Sequence, residues 1–245
     1  MLRPSIPLGR FAGVRVGLNP TVLVIAVLLV TGLAFGRLPA AFPGYGAAAY
    51  LAAAVAGTLA FLASLLAHEL AHAVVARREG VEVAGVTLWL LGGVAHLRGE
   101  PRTPGADLRI AAAGPLVSLT LSGCCGLLAL AGQGLVRGTL MYLAGANLVL
   151  AVFNLVPGAP LDGGRILRAL LWAWRGDRVF AAVVAARAGK VVGWALLTLG
   201  AVMLLTGAGL QGVWLGVVGL FVAGAAAAEE RHARATAPRK SPTAS

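Results

Sequence analysis

The 245-residue sequence predicts an all-α membrane protein of six transmembrane helices, with a small β-hairpin or re-entrant loop after the second. Three observations predict it. Apolar residues make up 59% of the chain and charged residues only 12%, whereas a soluble domain carries about 25% charge. The apolar residues fall into six runs, each close to the roughly 20 residues that cross a bilayer. The basic residues concentrate in every other segment between those runs, on one side of the expected membrane.

The runs are 20–36, 47–76, 106–132, 138–156, 180–206 and 210–228. A basic arm precedes the first, so a cleaved signal peptide is the competing reading. Its length and the spans that follow favour a retained helix. The second run is long enough to tilt or to project beyond the hydrocarbon. After it, Val81 to Leu97 is rich in Val and Leu with partial alternation, and Gly92-Gly93 punctuates it. That pattern fits a hairpin on the surface or a re-entrant loop that a wet cavity satisfies. Spans five and six are rich in glycine and alanine, which fits close helix contacts or a mobile gate. Residues 1–228 thus form one six-span domain. Residues 229–245, charged and then rich in Ser, Thr, Pro and Ala, form a polar tail expected to be disordered and cytoplasmic.

A net charge of +11 raises the question of nucleic acid. The basic residues are scattered in short loops without interleaved aromatics, so no nucleic-acid partner is expected. Of the 20 Lys and Arg residues, all but Arg37 and Arg137 fall on one side of an even number of spans. The positive-inside rule then places both termini in the cytoplasm of a multi-pass cell-membrane protein. Cys124 and Cys125 are adjacent within an apolar run and read as lipid- or core-facing thiols, not a disulfide.

The chemistry lies in the second run, in His68-Glu69-Leu70-Ala71-His72. Histidines four apart share one helix face and can grip one Zn²⁺, with Glu69 placed to take a proton from a water that the metal acidifies. Ionisable side chains inside a span are costly and by default functional. A catalytic zinc site takes three protein ligands and leaves one position open. Asp162 is the candidate third ligand, in Asn154-Leu155-Val156-Pro157-Gly158-Ala159-Pro160-Leu161-Asp162-Gly163-Gly164-Arg165. Capping of the helix that begins near Gly163 is an equal reading of that Asp from its local sequence. Depth is compatible with ligation. The histidines lie roughly 6–12 Å from the cytoplasmic end of their span, and Asp162 follows the cytoplasmic end of span four. His96 reads as a surface or interfacial imidazole, with a switch or a fourth metal contact as the sharper alternative. Asn147, seven residues before Asn154, reads as an interhelical hydrogen bond.

These paired motifs resemble the site-2 protease family of intramembrane zinc metalloproteases. Leu91-Gly92-Gly93-Val94, the run Ala111-Ala112-Ala113-Gly114-Pro115 and the six spans also look like its bacterial and archaeal branch. The resemblance implies that His68, His72 and Asp162 hold one zinc per chain and that Glu69 is the general base. It implies that Asn154 bonds the substrate backbone or the developing oxyanion, and that the Gly92 and Gly93 loop lies near the active site and pairs with an unwound substrate. The implied substrate is a single-span membrane protein, such as an anti-sigma factor already trimmed by another protease. Whether the chain forms a homodimer is left open. Many relatives carry a pair of CBS modules or a PDZ insertion and this sequence shows neither, which puts ligand-gated regulation in doubt. A metal transporter or metal-binding membrane scaffold is the alternative. Such a protein needs polar groups along a whole path, whereas here they gather at one depth. A catalytically silent adaptor is disfavoured by the intact Glu69.

Overall fold

The structure is a computed structural model that describes residues 6–236 apart from residues 91 and 208. Arg3 of the basic arm, Leu91 of the glycine loop and residues 237–245 of the expected tail lie outside the described residues. Among the described residues six helices are long and apolar enough to cross a membrane: Val22–Ala41, Ala47–Arg78, Pro104–Ala131, Gly134–Asn154, Arg178–Leu205 and Leu210–Ala235. Each coincides with one of the expected runs.

The first consists of α1 (Val22–Gly32), a π-helical turn (Leu33–Arg37) and α2 (Leu38–Ala41). It therefore continues past residue 36, where the apolar run ends. Pro39 stands at the start of α2. Its ring excludes an ordinary helical bond to the preceding turn, which accounts for the widened turn ahead of it. The remaining helices are α3 (Ala47–Arg78), α4 (Pro104–Ala131), α5 (Gly134–Asn154), α6 (Asp162–Arg175), α7 (Arg178–Leu205) and α8 (Leu210–Ala235). The chain divides into two compact units. The first takes the described residues up to Arg102 with Ala112–Phe153, the second Thr103–Ala111 with the described residues from Asn154 onward.

In the first unit four strands, β1 (Ile6–Phe11), β2 (Val14–Leu18), β3 (Glu82–Trp89) and β4 (Gly92–Arg98), form one sheet in the order β1-β2-β3-β4. The β3–β4 hairpin is the one its alternation predicts. The β1–β2 hairpin is an addition to the expected fold, because the N-terminal arm carried only a charge signal. Val14 and Val16, 1% and 2% exposed, flank the exposed Arg15 in strand alternation. That period of two is too short, among glycines and a proline, to announce a strand alone. β2 pairs with β3 in parallel, Val16 opposite Val86. The arm and the segment after the second span therefore lie side by side, as the charge pattern requires.

The sheet packs on the C-terminal half of α3, with Val14, Ala73 and Val86 in one buried cluster and Val22, Leu65 and Leu88 in the next. Arg77, in the last turn of α3, donates to the Ala12 carbonyl at 2.8 Å and closes the β1–β2 turn. Toward the other end of α3, Tyr50 and Ala54 pack with Leu33, Ala34 and Leu38. Between these ends, Asn147 of α5 donates through Nδ2 to Ser64 Oγ of α3 at 3.3 Å, the interhelical bond expected of it.

In the second unit α7 and α8 form a tight hairpin. A Cβ built on Gly193 would lie 2.5 Å from the Ala223 nitrogen, and one on Gly200 2.6 Å from that of Gly216. Small residues here let two backbones approach, so the glycine content of these spans serves close contact. Asp107, 1% exposed in the first turn of α4, accepts from Arg168 Nε and Nη2 at 2.8 and 2.9 Å and from Arg165 Nη2 at 3.2 Å. This bidentate fork fastens α6 to that turn. Helix α8 runs seven residues beyond 228, to Ala235. Glu230 explains the extension: 7% exposed, it pairs with Arg187 at 3.3 Å, with Lys190 and with Arg234 one turn on.

Candidate metal centre

Helix α3 is continuous through His68, Glu69 and His72, because Ala and Leu surround them and no Gly or Pro interrupts from Thr58 to Arg78. The 3.6-residue period puts both imidazoles on one face. They are 2% and 5% exposed. Their Nε2 atoms are 3.2 Å apart and the rings stand edge to face at 76°. Two ligands of a tetrahedral Zn²⁺, each at about 2.0–2.1 Å, have nitrogens about 3.3 Å apart. The spacing is thus that of two imidazoles sharing one ion.

Two features that the sequence did not single out complete the pocket around these nitrogens. His68 Nδ1 is 2.9 Å from Ser118 Oγ of α4, a hydroxyl with no exposed surface. One turn earlier on α4 stands Gly114. A Cβ there would collide with His72 Nε2 and lie 2.6 Å from His68 Nε2. The glycine leaves open the space toward which both nitrogens turn, and an ion of zinc's size needs that space. In the sequence the run around Gly114 carries only a family likeness, and nothing local marks Ser118.

Glu69 is half-buried beside the histidines. The backbone of β4 crosses it closely: a Cβ on Gly93 would come 2.6 Å from Glu69 Cδ and 2.8 Å from Oε1. Gly92 has φ +135°, a conformation that L side chains rarely adopt. The two glycines therefore differ in their reasons, one for backbone conformation and one for room at the carboxylate. β4 is the terminal strand of the sheet. His96 belongs to the sheet rather than to the histidine pair, with Nε2 3.2 Å from Thr87 Oγ1 of β3.

Asn154 and Asp162 belong to the second unit. Asn154 is the last residue of α5 and Asp162 the first of α6. The N-cap position of α6 is Leu161, so Asp162 stands in the first turn of the helix and not at its cap position. The two glycines after Asp162 are needed for close approach. A Cβ on Gly163 would collide with the Leu155 and Val156 carbonyls, and one on Gly164 with the Ala159 nitrogen. The loop itself is tied to α7, Ala159 N donating to Ala185 O at 3.0 Å.

Comparison with known proteins gives consistent matches. The family model described as peptidase family M50 matches residues 56–137 and 128–200. Rip3 of Mycobacterium tuberculosis is 50% identical over 234 residues, 94% of this chain and 59% of that protein. Zinc metalloprotease MJ0392 of Methanocaldococcus jannaschii is 37% identical over 170 residues, 69% of this chain and 47% of that protein. The chain therefore spans three fifths or less of the length of these relatives. Among solved structures, a site-2 protease from M. jannaschii matches with a TM-score of 0.62 and 28% identity, covering 98% of this chain and 100% of that one.

Proposed function

The chain belongs to peptidase family M50, and from that premise we propose that it is an intramembrane zinc metalloprotease that hydrolyses peptide bonds of membrane-spanning proteins. The observation that carries the reading is the pair of imidazole nitrogens 3.2 Å apart on a membrane helix, with Glu69 between them in sequence. A metal transporter or passive metal-binding scaffold has no use for a base at that position.

Asp162 is the third ligand in this reading. Its support is the donor chemistry. His68 and His72 each offer an imidazole nitrogen and Asp162 a carboxylate oxygen, one ligand atom apiece. Two imidazoles and a carboxylate suit zinc and leave a position open for water or substrate. A bound zinc ion supplies Lewis-acid polarisation of the scissile carbonyl and acidifies the attacking water.

The protein's own groups do the rest. The Glu69 carboxylate takes the proton of the attacking water and returns it to the leaving amine. Gly93 lets β4 run beside that carboxylate. An unwound substrate segment can add to the free edge of β4 by main-chain hydrogen bonds, which holds an otherwise shielded helical peptide bond extended at the base. Asn154 donates to the substrate backbone or the developing oxyanion. The substrate is a single-span membrane protein, in the manner of an anti-sigma factor shortened beforehand by another protease.

Glu69→Gln tests the mechanism in liposomes with a single-span substrate. The variant keeps about one zinc per chain, as expected of a site with three other ligands. Its cleavage rate falls by a factor on the order of 10²–10⁴, the usual contribution of a general base. Cleavage at the unmutated rate would refute the assignment.

A further inference from the structure

We propose that α4 is the supporting wall of the metal centre: Ser118 accepts the Nδ1–H of His68 and so fixes the tautomer that turns Nε2 to the ion, while Gly114 keeps the ion's place open. The inference rests on the zinc reading above and adds two residues that neither the motif nor its spacing contains.

The geometry leaves one arrangement for the proton. An imidazole binds a metal through a nitrogen that carries no hydrogen, and the other nitrogen then carries it. The Nε2 atoms of His68 and His72 converge, so Nε2 of His68 is the nitrogen offered to the ion. Its Nδ1 therefore holds the hydrogen, and the Ser118 oxygen at 2.9 Å accepts it. Such a bond locks the ring's rotation and raises the basicity of the liganding nitrogen. Both groups lie away from bulk solvent, His68 2% exposed and Ser118 wholly buried. Ser118 is thus a positioning residue, acting through His68.

Gly114 stands four residues before Ser118, hence one turn away on the same face of α4. Its missing side chain and the Ser118 hydroxyl address the two nitrogens of one ring, Nε2 and Nδ1. One helix face holds the imidazole from one side and spares room on the other.

The test measures zinc affinity of the full chain in detergent, by competition with a chromophoric chelator, for the unmutated protein, His68→Ala, Ser118→Ala and Gly114→Ala. Ser118→Ala is expected to weaken zinc binding by about 10–100-fold, the usual effect of losing an outer partner of a ligand. Gly114→Ala is expected to abolish it. In the zinc-loaded unmutated protein, ¹⁵N spectra of the histidine ring should show His68 protonated at Nδ1, a readout that requires no variant to fold. Unchanged zinc affinity in Ser118→Ala, or a hydrogen on Nε2 of His68 in the loaded protein, overturns the proposal. The two levels separate cleanly. If His68→Ala loses zinc while Ser118→Ala keeps it, only the role of α4 fails. If the unmutated chain takes up no zinc, the metal centre itself fails.

Discussion

Each side chain of the proposed centre acts on a different quantity, so single substitutions separate their roles. Glu69 moves a proton and should leave metal content alone. Asp162 should do the reverse. Asp162→Ala removes one of three ligands, and its zinc affinity should drop by well over the roughly 10–100-fold expected for an outer partner. Chelator competition on the purified variant measures this. An affinity equal to that of the unmutated chain would move the third ligand elsewhere. Asp162→Asn is the sharper variant, since it keeps the shape and loses only the anionic donor. Far-ultraviolet circular dichroism of the variant separates a loss of ligation from an unfolding of the helix end.

At the scale of elements, a buried polar commitment outside the centre is the fork of Arg165 and Arg168 on Asp107. Asp107 is 1% exposed, and its charge is tolerable there only because two guanidiniums meet it. Asp107→Ala removes this anion from both arginines, with Arg168 only 14% exposed at its side chain. Breaking a buried pair from one side costs about 3–5 kcal/mol. Because Glu229 still faces Arg168 at 3.6 Å, the lower end of that range, about 3 kcal/mol, is expected. Denaturant unfolding in detergent checks it. A loss below roughly 1 kcal/mol, the level of an exposed pair, would show that the fork carries little of the stability of α6. The sequence hid this network. Asp107 reads there as one acidic residue among nearby arginines, and its true partners lie 58 and 61 positions away.

For the whole molecule, the charge distribution makes a prediction about orientation. The N-terminal arm and the segment after α3 lie in one sheet, β2 beside β3, so they share a side of the membrane. The positive-inside rule names that side as the cytoplasm. A fluorescent-protein fusion at either end should therefore fold and fluoresce, and a periplasmic phosphatase fused there should stay inactive. An active phosphatase at either end would invert the topology and place the proposed centre toward the opposite face. The six membrane helices and the paired histidines were legible because each has a local signature: a run of apolar residues the thickness of a bilayer, and a repeat that matches the helix turn.

The sequence by itself determined the six spans, a hairpin or re-entrant loop after the second, the face of α3 that His68 and His72 share and the asymmetry of charge. Local composition and periodicity suffice for all of these. Only the tertiary structure decided that the N-terminal arm joins the sheet, that Asp107 anchors α6, and that α4 presents Ser118 and Gly114 to the imidazoles. The reason is the same in each case. A serine 50 residues from its histidine, or a glycine that matters for the atom it lacks, leaves no periodic trace. Its meaning depends on which helix packs opposite, and that is settled only when the chain has folded.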